Sequence, residues 1–85
     1  MADELTGATA PAPPGRRAAK RLLAAEAYRR IVAGDAPETL SDFAAQLAAW
    51  FKATYPAAPA ASARFVEAAI LDTWHRRHEA IGSEL

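Results

Sequence analysis

From Arg16 to Ile81, strong helix breakers interrupt the chain at only two places, residues 34–37 and residues 56–59. Glycine supplies the left-handed backbone that ends helices, and proline removes a backbone donor and crowds the preceding turn. What lies between these breaks is rich in Ala, Leu, Arg and Glu, all strong helix formers. No segment alternates apolar and polar residues with a period of two, so strands are not expected. The punctuation predicts an all-α, compact three-helix domain, with helices over about 16–33, 40–54 and 62–81.

Each segment carries its own boundary signals. In the first, Gly34 stands where a left-handed stop belongs. At about 3.6 residues per turn, Leu23, Ala24, Ala27, Tyr28, Ile31 and Val32 share one face, with Glu26, Arg29 and Arg30 opposite. The second starts at Thr39 with Asp42 three residues on, a capping-box pattern. Its stripe is Leu40, Phe43, Ala44, Leu47, Trp50, Phe51 and Thr54, and Pro56 ends it by biasing Tyr55 away from helix. Ser62 is the expected N-cap of the third. Val66, Ala69, Ile70, Thr73, Trp74, Arg77 and Ile81 form its inner face, and Gly82 follows as its stop.

Residues 6–15, TGATAPAPPG, contain no large apolar side chain and cannot recover their ordering entropy by burial. Residues 1–15 are therefore expected to be a flexible tail ahead of a domain over 16–85. Basic and acidic residues number ten each, so the whole chain is neither polybasic nor an acidic mimic of nucleic acid. The absence of cysteine excludes disulfides, thiolate metal sites and cysteine nucleophiles. The first ten residues, MADELTGATA, lack the basic-then-apolar order of a signal peptide, and no apolar run is long enough to span a bilayer. A soluble, cytoplasmic protein with no membrane partner is expected. The alanine content suggests a GC-rich bacterial genome.

Four features bear on function. The stretch WHRRHEAIG, residues 74–82, places His75 and His78 three apart, where Asp72 or Glu79 could add a carboxylate. A metal site needs at least three converging groups. Helix-surface pairs, Asp72 with Arg76 and His75 with Glu79, explain the same residues, and no metal or other cofactor is expected. Arg77 is different, because it falls on the core face between Trp74 and Ile81. It could snorkel, stack on Trp74, pair with a carboxylate of another helix, or mark a partner-binding surface.

Helix 1 carries six basic residues and one acid, against four and nine in the rest of the chain. Arg16, Arg17, Lys20 and Arg21 lie on the side of its apolar face, so its first turns are expected to overhang the core. Such a basic start suits phosphates or an acidic protein surface. Leu22, Phe65 and Leu71 fall off the inner faces, which fits a homodimer or a partner surface. No glycine-rich phosphate loop or nucleophile elbow is present, and Ser41, Ser62 and Thr39 are read as caps, so no catalysis is expected.

Helix 2, a turn and the segment ASARFVEAAILDTWHRR together resemble the second half of a LuxR-type helix-turn-helix. Ser62, Arg64, Val66, Glu67, Ile70 and Trp74 stand in that pattern, over about residues 40–80. The resemblance implies that helix 3 is a recognition helix, with Ser62, Arg64 and Ala68 nearest the DNA. The expectation is a small non-enzymatic bacterial or phage regulator that binds DNA as a dimer. Arg16, Arg17, Lys20 and Arg21 would hold phosphates. The alternative is a helical protein-interaction module, such as an adaptor, antitoxin or inhibitor, that docks through helix 1 or helix 3 by Phe65, Leu71 and Arg77.

Overall fold

The structure is a computed structural model that describes residues 13–78. Its elements are α1 (Arg16–Ala33), α2 (Leu40–Thr54) and α3 (Ala63–His75), with no strand among the described residues. The all-α, three-helix architecture is as the punctuation predicts.

The boundaries follow from local chemistry. Gly34 takes φ 82° and ψ 17° after α1. Its N–H donates to Ile31 O at 3.1 Å and that of Asp35 to Arg30 O at 2.8 Å, the bond pair of a Schellman stop. Thr39 Oγ1 accepts the Asp42 N–H at 3.1 Å, which satisfies one of the orphan donors at the start of α2. Tyr55, pushed out of the helical region by Pro56, adopts φ -127° and ψ 68°. Ser62 Oγ caps α3 by accepting the Phe65 N–H at 3.1 Å.

Helix α3 ends earlier than its apolar spacing predicts. It stops at His75, Arg76 is a turn at φ -99° and ψ 13°, and helical backbone resumes only at Arg77 and His78. The Arg77 guanidinium reaches back to the Trp74 carbonyl, at the break where helical acceptors lose their regular partners. Glu79, Ile81 and the expected stop at Gly82 lie outside the described residues, as does most of the expected N-terminal tail.

Short connections make sequential helices antiparallel, and α3 therefore runs parallel to α1. Two contacts fix this order. Arg16, at the start of α1, lies over Phe65 near the start of α3, and Phe43 of α2 meets Trp74 of α3 at 5.6 Å between ring centres. Helix α3 is central, packing on both α1 and α2, which meet each other only sparsely. The core is Ala19, Leu23, Ala27 and Ile31 from α1, Phe43, Ala44, Leu47 and Phe51 from α2, and Val66, Ile70 and Trp74 from α3. Each of its large side chains contributes about 1.5–3 kcal/mol on burial.

Five face assignments are corrected, at Tyr28, Glu26, Thr54, Leu22 and Phe65. Tyr28 is 51% exposed, whereas Glu26, expected on the outside, is buried. The buried arc of α1 is centred on Ala19, Leu23, Ala27 and Ile31, which turns Tyr28 to solvent and brings Glu26 to the rim. Thr54 is exposed and donates from Oγ1 to Trp50 O at 2.7 Å, a local bond that substitutes for packing. Leu22 and Phe65 are partly buried against the core and are not free apolar surface.

Candidate nucleic-acid interface

The first turn of α1 does not overhang the core. Ala19 is buried, and the Arg16 guanidinium stands 5.5 Å from the centre of the Phe65 ring. This cation–π contact, together with the small Ala19, seats the start of α1 on the start of α3. Arg17, Lys20 and Arg21 are exposed beyond it. Among the described residues no carboxylate lies within ion-pair distance of any of them.

The basic residues at the far end of α1 are spent internally. Arg29 Nε donates to Glu26 Oε1 at 3.0 Å, and Arg30 Nε to Glu26 Oε2 at 2.8 Å. The Arg29 hydrogen bond is the main cause holding the Glu26 carboxyl at a pKa of about 2; burial opposes it, and Arg30 adds to the lowering. Hydrogen bonds to the charged form favour it in this way. The same contact raises the pKa of Arg29. Glu26 thus offsets part of the charge at one end of α1, while the cations at the other end have no carboxylate partner among the described residues.

The up–down–up order then gathers charge from all three helices. The start of α1, the end of α2 and the start of α3 share one end of the bundle, which brings exposed Lys52 and exposed Arg64 to the end that carries Arg16, Arg17, Lys20 and Arg21. The N-termini of α1 and α3 both present the positive end of the helix dipole there. Half-buried Glu67, one turn into α3, is the nearby acid on that helix. Asp35, Glu38 and Asp42 lie on the α1–α2 connection and the first turn of α2, at the opposite end. The length of α1, 18 residues, sets the distance between the two ends. That distance is about 27 Å, at a helical rise of about 1.5 Å per residue. The opposite end also carries Arg29, Arg30, Arg76 and Arg77, so its charge is mixed, and among the described residues the excess of one sign lies at the basic end.

Spacing along the chain could not bring Lys52 into this set. Only the packing order does, and the short connections are its available signal. Ser62 is engaged as a cap and Ala68 is exposed, so of the positions implied by the helix-turn-helix resemblance, Arg64 and Ala68 present free side chains. The connection between α2 and α3 spans residues 55–62 and includes a turn closed by the Ala58 N–H donating to Tyr55 O at 3.0 Å. It is longer than the usual tight turn of about three or four residues.

The remaining candidates are dispersed. Leu71 is 40% exposed on the outer face of α3. His75 and His78 are both exposed, on either side of the turn at Arg76. Among the described residues no group of three His, Cys, Asp or Glu side chains converges as a metal site would require. Arg76 Nη1 meets Asp72 Oδ2 at 3.2 Å, the helix-surface pair expected from their spacing. Arg77 stacks on Trp74 and does not reach a carboxylate among the described residues. No described helix is long and apolar enough to cross a membrane. Comparison of the chain with protein-family models, curated proteins and solved structures finds no match.

Proposed function

We propose that this chain is a small, non-enzymatic DNA-binding regulator that lays its basic pole on the duplex. One observation carries the reading: Arg17, Lys20 and Arg21, exposed and without carboxylate partners among the described residues, lie at the same end of the bundle as exposed Lys52 and Arg64. Clustered, unpaired cations neutralise phosphates and release counterions, which is the main source of sequence-independent affinity. Helix N-termini add backbone donors for phosphate oxygens. In this arrangement Arg17, Lys20, Arg21 and Lys52 hold the backbone, and the first turns of α3 present Arg64 and Ala68 toward the groove. Ser62 sets the direction of α3 and leaves the contacts to its neighbours. The proposed setting is the cytoplasm, with two copies reading paired half-sites.

Fluorescence anisotropy with a labelled random duplex at low salt tests this reading. The Arg17→Gln/Lys20→Gln/Arg21→Gln variant is expected to lose at least about tenfold in affinity, as removal of several phosphate contacts requires. Arg76→Gln, at the opposite end, is expected to bind as the unaltered protein does. Failure of the folded protein to bind any duplex at low salt would overturn the proposal.

A second reading draws on the exposed Tyr28 and Leu71, each a large apolar side chain on the outer face of α1 or α3. Both would bury useful area against a protein partner or a second copy. Association through them would respond to Leu71→Ser and scarcely to salt, opposite to the behaviour of the basic pole.

A further inference from the structure

Beside the basic pole, the start of α1 and the α2–α3 connection border a half-open groove of about 500 Å³. Its walls are mostly apolar, built from Pro13, Ala19, Phe51 and Phe65, and Arg16 and Ser62 also line it. We propose that this groove binds a small monocarboxylate with an extended apolar body, of the fatty-acid type. The cavity falls in the size range of sites that take small molecules, and such sites pair mostly apolar walls with a few placed polar groups.

Arg16 determines the chemistry of the head group. Its guanidinium is held over the Phe65 ring at 5.5 Å and meets no carboxylate among the described residues. A guanidinium held over a ring face keeps its planar fork of donors for a carboxylate, which it can bind through two parallel hydrogen bonds. The backbone beside it adds to the preference. Gly15 offers no side-chain oxygen to the first-turn N–H groups of α1, in contrast to Thr39 and Ser62 at the other two helices. Inorganic phosphate would meet the cation but leave the apolar walls uncovered. A neutral hydrocarbon would cover the walls and leave the guanidinium unanswered. An amphipathic carboxylate does both. This site does not rest on the DNA reading, because its ligand is read directly.

The experiment is an amide NMR titration of the full chain with decanoate, decanol and acetate, all below any micelle concentration. Decanoate is expected to shift the resonances of Arg16, Ala19, Ser62 and Phe65 saturably, and acetate to leave them in place. Arg16→Gln should weaken decanoate about tenfold, as loss of a charge-assisted pair implies, and leave decanol unaffected. Ala60→Trp, which fills the groove from an exposed lining position, should abolish both responses while the helical circular dichroism is retained. Equal affinity for decanoate and decanol would overturn the proposal, as would decanoate binding that survives Ala60→Trp. Two other occupants would overturn it as well: groove resonances that move with Leu5→Ser without ligand identify the chain's own N-terminal segment, and resonances that move with protein concentration identify a second copy.

Discussion

The Arg77 guanidinium lies over the Trp74 ring, 4.0 Å from its centre, and its Nη1 donates to the Trp74 carbonyl at 2.8 Å. A charge just past the end of α3 is thereby used twice, once against the ring quadrupole and once on a carbonyl at the helix break. Arg77→Ala should cost about 1–2 kcal/mol of stability, measured by urea unfolding. Arg77→Lys should recover only part of that loss, since an ammonium stacks less well. An unchanged unfolding midpoint in Arg77→Ala would contradict this role.

Glu26 makes the fold sensitive to acid. Its carboxyl is lowered from 4.5 to about 2 in the native state, chiefly by the Arg29 hydrogen bond, against burial and with help from Arg30. A lowered native pKa means that the unfolded chain binds the proton more readily. The contribution of Glu26 is therefore full above about pH 4.5 and is lost as the pH falls toward about 2. Glu26→Gln should remove this part of the acid limb and cost on the order of 1–2 kcal/mol at neutral pH, discounted because the arginine partners reach solvent. Thermal unfolding across that pH range reads both effects.

Gly34 isolates the contribution of a backbone conformation. It sits at φ 82°, and a Cβ there would meet nothing within 4 Å. Gly34→Ala should therefore cost about 1–2 kcal/mol from left-handed strain alone, with no rearrangement of neighbours. Unfolding of the variant by urea checks the value.

Ser62 separates a cap from a contact. Its Oγ accepts the Phe65 N–H, so Ser62→Ala should lower stability by about 1 kcal/mol as that donor loses its acceptor. The folded variant should keep its affinity for duplex DNA, measured by anisotropy. A selective loss of affinity would instead make Ser62 a DNA contact.

Most of the fold is legible in the sequence because the chain marks its breaks chemically. Thr39, Ser62, Gly34 and Pro56 each announce a boundary by a local mechanism, and each stands where the structure uses it. The faces of α1 are harder to read, because alanines at positions 19, 24 and 27 tolerate either environment and carry little phase information. Charge alone directs Glu26 outward, yet Arg29 and Arg30 on the same helix neutralise it at the rim. The end of α3 carries no proline or glycine before Gly82, so its spacing alone extends the helix past Arg76. The basic start of α1 is visible in the sequence. Its union with Lys52 and Arg64 is not, since it depends on which helix ends meet.

A phosphate-binding surface built from these cations makes duplex binding depend steeply on salt. For double-stranded DNA the logarithm of the binding constant falls with the logarithm of salt by about 0.9 per phosphate neutralised. With Arg17, Lys20, Arg21, Lys52 and Arg64 engaged, the slope should be on the order of −3 to −5, and each single glutamine substitution among them should reduce it by about one. A slope near zero, or one unchanged in the Arg17→Gln/Lys20→Gln/Arg21→Gln variant, would show that the basic end does not hold phosphates.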